Sequence, residues 1–275
     1  MSGEDPRAAL RRHGLAPKAA FSQNFLVSSS AVRTIVAAAA PAPGELVVEL
    51  GAGLGTLTAA LLEAGARVTA IERDADMIHV LTQDLVPKGL ALQPGDAANV
   101  DYAALTRDVP GRKACVVGNL PYAITGAILR NLVDSRAHLS RAIVMVQREV
   151  RDRLIALPGT PEYGALTVFT TAAFAVQTVL KLPPGAFHPP PKVHSAVVRL
   201  DVLDRPRAEE TPAFRTVVKA AFEQRRKTLR NALGAAIGTE RAEAALARAG
   251  IDPKRRGETL SVEDFATLAR CAEAP

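Results

Sequence analysis

The stretch Leu46-Val47-Val48-Glu49-Leu50 runs straight into Gly51-Ala52-Gly53-Leu54-Gly55, and Thr56 and Leu57 then open a helical pattern. A short β-branched apolar run suits a strand, and glycines at its end suit a tight turn into a helix. Glycine at such a junction lets the backbone double back and lets a ligand reach the main chain with no Cβ in the way. The spacing is G-x-G-x-G, which departs from the dinucleotide fingerprint G-x-G-x-x-G. The junction therefore predicts a parallel α/β sheet with a ligand at the mouth of its first strand, and leaves the ligand open.

The same alternation continues along the chain. Strands are predicted at 46–50, 67–72, 90–93, 115–119, 142–147, 175–181 and 195–200, with helices near 54–64, 75–86, 125–133 and 148–157. Ser28-Ser29-Ser30 has no nucleophile-elbow context and reads as the N-cap of a helix through Val36. Seven strands interleaved with helices make a Rossmann-like α/β fold, a seven-stranded mostly parallel sheet covered on both faces. Residues 201–212 are charged, contain Pro206 and Pro212 and lack apolar periodicity, so they read as a linker. The 275 residues then divide into an α/β domain over 1–202 and a small C-terminal all-helical domain over 203–275.

Hydrophobic residues at 48% and charged residues at 23% fit a globular chain and exclude a disordered or fibrous one. The net charge of +6 favours a polyanionic partner. Residues 202–275 hold 14 Lys and Arg against 11 Asp and Glu, and residues 1–201 hold 20 against 17, so the same surplus is denser in the shorter stretch. Cys115 and Cys271 form no C-x-x-C pair and the five histidines show no ligand spacing, so neither a disulfide framework nor a metal is assigned. Glu4, Asp5, Arg7, Arg11, Arg12 and Lys18 break up the first twenty residues, and the apolar run at 35–40 stops at Pro41. No secretory signal or membrane span is read, and a cytoplasmic location is expected.

Glu72 closes the second predicted strand, where an acidic side chain can accept the ribose hydroxyls of a nucleoside. Gly95-Asp96-Ala97 follows the third strand, and Asp96 there is either an acceptor for an adenine amino group or the cap of its own turn. The fourth strand ends in Asn119-Leu120-Pro121-Tyr122. An exocyclic adenine amine is a poor nucleophile because its lone pair is delocalised into the ring. The Asn119 amide oxygen and the Leu120 carbonyl can accept its two hydrogens, and both bonds strengthen as positive charge builds on nitrogen. Pro121 restricts the backbone so that the carbonyls point inward, and Tyr122 offers a ring on which an extruded base can stack, at ~1–3 kcal/mol. Taken alone, the glycine loop and Glu72 do not separate a dinucleotide from S-adenosylmethionine, although the G-x-G-x-G spacing counts a little against the dinucleotide.

These motifs resemble those of the ribosomal RNA adenine N6,N6-dimethyltransferase family. The similar segments are Phe21-Ser22-Gln23-Asn24-Phe25-Leu26, the glycine loop from Val48 to Thr58, Asn119-Leu120-Pro121-Tyr122, and Val146-Gln147-Arg148-Glu149-Val150. Tyr163-Gly164-Ala165-Leu166-Thr167-Val168, Phe187-His188-Pro189-Pro190-Pro191-Lys192-Val193 and Phe222-Glu223-Gln224-Arg225-Arg226-Lys227-Thr228-Leu229 complete the series. The resemblance implies a class I methyltransferase fold and S-adenosylmethionine as cofactor, held by Asn24, Leu26, Gly51, Gly53, Glu72, Asp96 and Asn119. It implies Asn119, Leu120, Pro121 and Tyr122 as the catalytic loop, with Phe187 stacking on the target base opposite Tyr122. The implied substrate is two adjacent adenosines near the 3′ end of 16S ribosomal RNA in an assembling 30S particle, met by a monomer. Ser22 and Ala19 depart from the family pattern, which has glycine and a second basic residue there.

A helix over 214–233 would set Arg215, Lys219, Arg226 and Arg230 within about 60° of one another at the ~100° step of an α-helix. Phe214, Val217, Val218, Ala221 and Phe222 share the neighbouring face, so the basic stripe is available to phosphates of a structured RNA. Arg225 falls inside the apolar arc, and a break in the helix would come there. Two further readings share these residues: a large-subunit methyltransferase of the kind that confers macrolide resistance, and a non-catalytic RNA-binding factor, against which the intact Asn-Leu-Pro-Tyr loop argues.

Overall fold

The computed structural model describes residues 4–18, 23–107 and 113–273. Its first elements are α1 (Pro6–His13), β1 (Phe25–Leu26), α2 (Ser29–Ala39), β2 (Leu46–Leu50), α3 (Thr56–Glu63), β3 (Arg67–Glu72), α4 (Ala75–Asp84) and β4 (Ala91–Pro94). There follow α5 (Tyr102–Thr106), β5 (Ala114–Asn119), α6 (Thr125–Asp134), β6 (Leu139–Gln147), α7 (Arg148–Leu154), α8 (Ala165–Ala173), β7 (Phe174–Leu182), β8 (Phe187–His188) and β9 (Ser195–Val202). The chain ends in α9 (Pro212–Glu223), α10 (Leu229–Ile237), α11 (Thr239–Arg248) and α12 (Val262–Glu273). None of the described helices is long and apolar enough to cross a membrane.

Two compact units divide the chain: Met1–Arg151 with Val176–Val202, and Asp152–Ala175 with Leu203–Pro275. The domain assignment read from the sequence therefore needs a correction over 152–175, which packs in the second unit. Its helix α8 buries Val168, Phe169 and Ala172 against the same cluster as Phe214, Val217 and Phe265.

In the first unit the strand order is β4-β3-β2-β5-β6-β9-β7. The pairs β2·β3, β2·β5, β3·β4 and β5·β6 are parallel, and β6·β9 is antiparallel. All five residues of β2 are buried, as expected of a strand covered on both faces. Strand order changes direction beside β2, with β3 on one side and β5 on the other, and an open α/β sheet leaves a crevice at that point. A separate two-stranded ribbon pairs Phe25 with His188 and Leu26 with Phe187. β6 begins three residues before its predicted start, at Leu139. Arg141 hid that start, because its charge is compensated by atoms distant in sequence: Nε donates to the Ala39 carbonyl at 2.7 Å and Nη1 to Glu45 at 2.8 Å.

The second unit is helical, and α9 starts at Pro212, two residues before the predicted 214, with Thr211 Oγ1 accepting from the Phe214 amide at 3.1 Å. The single helix expected over 214–233 is two helices, with the break at 224–228. Arg225 is the cause, since continuing the helix would point its guanidinium into the apolar face. Instead its Nη2 donates to the carbonyls of Pro161 (2.9 Å) and Tyr163 (3.3 Å).

Candidate active site

A cleft lies at the carboxyl ends of β2, β3, β4 and β5, with about 1050 Å³ of empty space including its open mouth. Gly51, Gly53, Glu72, Gly95 and Asn119 line it from the strand ends, and Asn24, Leu26 and Met77 from the elements around them. At Gly51 and Gly53 the backbone takes φ of +69° and +57°, a left-handed conformation that side chains with a Cβ rarely adopt. A Cβ on Gly53 would lie 3.1 Å from the Phe25 ring, so backbone conformation at both glycines and crowding at Gly53 keep the loop bare where β2 meets the cleft.

Glu72 is 8% exposed and is held from both sides. Its Oε2 accepts from the Gly53 amide at 2.9 Å, and its Oε1 from the amides of Arg73 (2.8 Å) and Asp74 (2.9 Å). A carboxylate so fixed, next to a bare glycine loop, fits the ribose of an adenosine cofactor, and the residual acceptor capacity of Oε2 is what a ribose hydroxyl would use. Deeper in the same wall is Glu49, which sequence reasoning left without a role. It is 2% exposed and accepts from Thr58 Oγ1 at 2.6 Å. Burial pushes its carboxyl up to about 8, with the Thr58 hydrogen bond opposing and the charge of Glu72 adding to the rise.

Asn119 ends β5 with its Nδ2 donating to the Asn24 carbonyl at 2.9 Å, which leaves Oδ1 as the acceptor end of that amide. The Leu120 amide donates to the Met145 carbonyl at 3.0 Å, holding the loop to β6. Pro121 has φ −59° and ψ 124°, and its carbonyl is occupied by Thr125 Oγ1 (3.0 Å) and the Ile124 amide (3.2 Å). The Leu120 carbonyl is thus the main-chain acceptor of this loop. Tyr122 is half-buried and its hydroxyl bonds Ser195 Oγ at 2.8 Å. Burial raises the phenol's pKa, against the pull of the Ser195 hydrogen bond, so it stays neutral and presents a ring.

Two of the expected site residues have partners other than the expected ones. Asp96 does not line the cleft, although its neighbours Gly95 and Ala97 do. Its Oδ1 caps the following turn by accepting from the Ala98 amide at 2.8 Å, and its Oδ2 lies 3.8 Å from Arg73. Phe187 is 2% exposed and belongs to the buried cluster of Leu26, Ile35 and Val197. The expected stacking of Phe187 on a base is corrected accordingly: pairing with β1 turns its ring into the core, where it backs Leu26. Phe21, Ser22 and Ala19 lie outside the described residues. The N-terminal segment contributes more than the sequence motif implied. Its helix α1 packs Ala9 and Leu10 with Phe25, Leu54, Met77 and Val80, and Arg12 and His13 reach Asp84 on α4 at 2.6 and 3.1 Å.

The basic residues Arg215 and Lys219 are exposed on α9, Arg226 is exposed in the break, and Arg230 is exposed on α10. The common 60° arc expected for them does not hold across the break. Arg215 pairs with Glu210 at 3.1 Å, and Arg230 pairs with Glu243. Among the described residues no group of three or more His, Cys, Asp and Glu side chains is placed to hold a metal ion.

The family model for ribosomal RNA adenine dimethylase matches residues 15–273. The Ribosomal RNA small subunit methyltransferase A of Anaeromyxobacter sp. strain K is 49% identical over 277 aligned positions, covering 96% of each chain. The Myxococcus xanthus protein of the same description is 46% identical, over 97% of this chain and 95% of the relative. Among solved structures, a dimethyladenosine transferase from Plasmodium falciparum has a TM-score of 0.73 at 23% identity, covering 89% of this chain and 95% of that one. The 23S rRNA methyltransferase ErmE has a TM-score of 0.66 at 27% identity, covering 91% and 100%. With a family model spanning nearly the whole sequence and relatives close to half identical along it, this chain belongs to the ribosomal RNA adenine dimethylase family, whose enzymes draw their methyl groups from S-adenosylmethionine.

Proposed function

We propose that the chain methylates N6 of two adjacent adenosines near the 3′ end of small-subunit ribosomal RNA to N6,N6-dimethyladenosine, during assembly of the 30S particle. The observation that carries this reading is the fixed amide of Asn119, a residue lining the same cleft as Glu72 and the bare glycine loop. Gly51, Gly53 and Glu72, with Asn24 and Leu26 opposite, would hold S-adenosylmethionine. The bound cofactor supplies an electrophilic methyl group on a sulfonium. Asn119 Oδ1 and the Leu120 carbonyl accept the hydrogens of the target amine, favour a more tetrahedral nitrogen and stabilise the charge it gains. Tyr122 offers its face to a base that has left its stack. Arg215, Lys219, Arg226 and Arg230 serve as phosphate contacts. Lys219 and Arg226 are the best placed of these, being exposed and without an ion pair among the described residues. Small-subunit specificity is supported by the descriptions of relatives near 49% identity. The likeness to ErmE is the one observation favouring large-subunit RNA instead.

Purified small and large subunits, incubated with enzyme and methyl-labelled cofactor, separate the two readings. Label is expected in small-subunit RNA as dimethyladenosine, and label in large-subunit RNA alone would overturn the assignment. Asn119→Ala is expected to lower the rate of transfer at least ~10²-fold, the usual scale for losing a positioned acceptor or donor at a charged transition state.

A further inference from the structure

A chain of hydrogen bonds runs from the start of α4 to the Asn24 carbonyl that anchors the catalytic loop. Asp74 is 2% exposed and accepts from the Asp76 amide (2.9 Å), Lys18 Nζ (2.7 Å) and Gln23 Nε2 (2.6 Å). Burial works against its charge, but these hydrogen bonds and the Lys18 ammonium outweigh burial and hold the carboxyl below its ordinary range. Gln23 Oε1 accepts from the Lys18 amide at 2.8 Å, so both ends of the Gln23 amide are engaged. The next residue, Asn24, presents its carbonyl to Asn119 Nδ2 at 2.9 Å. Immediately beyond, Phe25 and Leu26 pair with His188 and Phe187, and the Val27 amide donates to the Ala186 carbonyl at 2.9 Å. The Asn24 carbonyl is thus fixed from both sides, by Gln23 before it and by the β1 ribbon after it.

This carbonyl decides the chemistry of Asn119. The two ends of an asparagine amide are alike in shape, and a half-turn about χ2 exchanges acceptor for donor. With Nδ2 turned to the substrate, N–H would face N–H and the amine would be repelled. A carbonyl opposite the other end forbids that orientation, because two oxygens would then meet. We propose that Gln23 and Asp74 are positioning residues for methyl transfer: they hold the Asn24 carbonyl where it locks the Asn119 amide with its oxygen toward the target amine. The proposal rests on the reading of Asn119 as the acceptor for that amine. Gln23 also lines the cleft, so a role as a wall for the cofactor is the competing explanation.

Gln23→Leu keeps the size of the side chain and removes both polar ends. Its single-turnover rate on saturating small-subunit RNA is expected to fall at least tenfold, while the dissociation constant for S-adenosylhomocysteine, measured by calorimetry, stays within threefold of wild type. A parallel loss of both quantities would make Gln23 a cofactor wall and overturn the proposal. In an Asn119→Ala background the same substitution is expected to cost less than a further twofold, and multiplying effects would also overturn it. Gln23→Glu sets two carboxylates face to face and is expected to be as slow as Gln23→Leu. Adding Asp74→Asn restores a donor across that gap and should recover most of the rate, a rescue that a merely structural role does not predict. Side-chain amide NMR of Asn119 reads the anchor without turnover: its signals are expected to shift and its hydrogens to exchange faster in Gln23→Leu, and unmoved signals would overturn the proposal. If Gln23→Leu does not melt cooperatively, the Gln23→Glu variant and its rescue carry the same comparison. Wild-type enzyme that labels no small-subunit RNA would sink the functional reading, and the NMR result would still decide the positioning.

Discussion

Glu49 sets a pH dependence that a single substitution isolates. The folded chain holds its carboxyl in the neutral form, buried and bonded by Thr58. A carboxyl whose folded pKa is raised contributes stability that is fully present below about 4.5 and is lost as pH climbs through about 8. Across that window each pH unit removes up to about 1.4 kcal/mol. Glu49→Gln carries a permanently neutral amide into the same place, so its stability relative to wild type should rise steadily from pH 5 to pH 8. Urea titrations at pH 5, 6.5 and 8 measure this, and a difference independent of pH would show that Glu49 does not titrate there. At this scale the sequence was informative where backbone direction alone decides the outcome. Asn119 and Glu72 end parallel strands, so they must stand at the carboxyl edge of the sheet. Phe187 was misread because its facing depends on pairing with Leu26, a residue 161 positions away, and no local pattern carries that information. Asp96 was open to two readings, an acceptor for an adenine amine or the cap of its own turn, and its Oδ1 makes the cap to the Ala98 amide.

The strands β2 and β3 have the predicted bounds because each is a short, mainly apolar and β-branched run bounded by turns. Helix α8 was not read as a helix. Thr167, Val168, Thr170 and Thr171 give it poor intrinsic propensity, and burial of Val168, Phe169 and Ala172 overrides that preference. Two of its hydroxyls find carbonyls, Thr167 Oγ1 at Arg153 and Thr171 Oγ1 at Thr167, both at 2.7 Å. A glycine inside a predicted strand is a readable sign of close backbone approach, and Gly118 is such a residue. It pairs with Leu50 across β2·β5, and a Cβ there would come within 2.6 Å of the Leu50 carbonyl and 3.1 Å of the Leu50 Cβ. Neither contact can be relieved by turning a side chain, so Gly118→Ala must separate the two strands one residue before Asn119. Overpacking of this kind costs about 1–3 kcal/mol. The expected result is that loss by urea titration together with a fall in transfer rate larger than the fall in cofactor affinity. A variant as active and as stable as wild type would contradict the close approach.

The second unit is not a contiguous tail, and that determines which piece of the chain can fold alone. Its core joins Tyr163, Val168, Phe169 and Ala172, from before the linker, to Phe214, Leu233, Leu246 and Phe265, from after it. The Tyr163 hydroxyl donates to the Leu260 carbonyl at 2.8 Å, and its ring meets Phe222 edge-on at 5.9 Å. Phe169 meets Phe214 in the same way at 5.9 Å. A fragment of residues 203–275 would therefore expose one face of Phe214 and Phe222 and leave the Leu260 carbonyl without the tyrosine. Fewer than eighty residues offer little surplus to absorb this, since small domains bury a low fraction of their surface. Truncating Phe169 alone in the full chain should cost about 3–5 kcal/mol. The 203–275 fragment is expected to bind a hydrophobic dye and to melt without a cooperative transition. The chain offers its own control, because the Leu203 amide donates to the Ala173 carbonyl at 3.0 Å and the Arg207 amide to the Ala172 carbonyl at 2.9 Å. The two segments thus run side by side at their junction, and a short glycine-serine linker from Ala175 to Leu203 can stand in for residues 176–202. Residues 152–275 joined in that way should melt cooperatively, and cooperative melting of 203–275 alone would show that the segment before β7 is dispensable to that core.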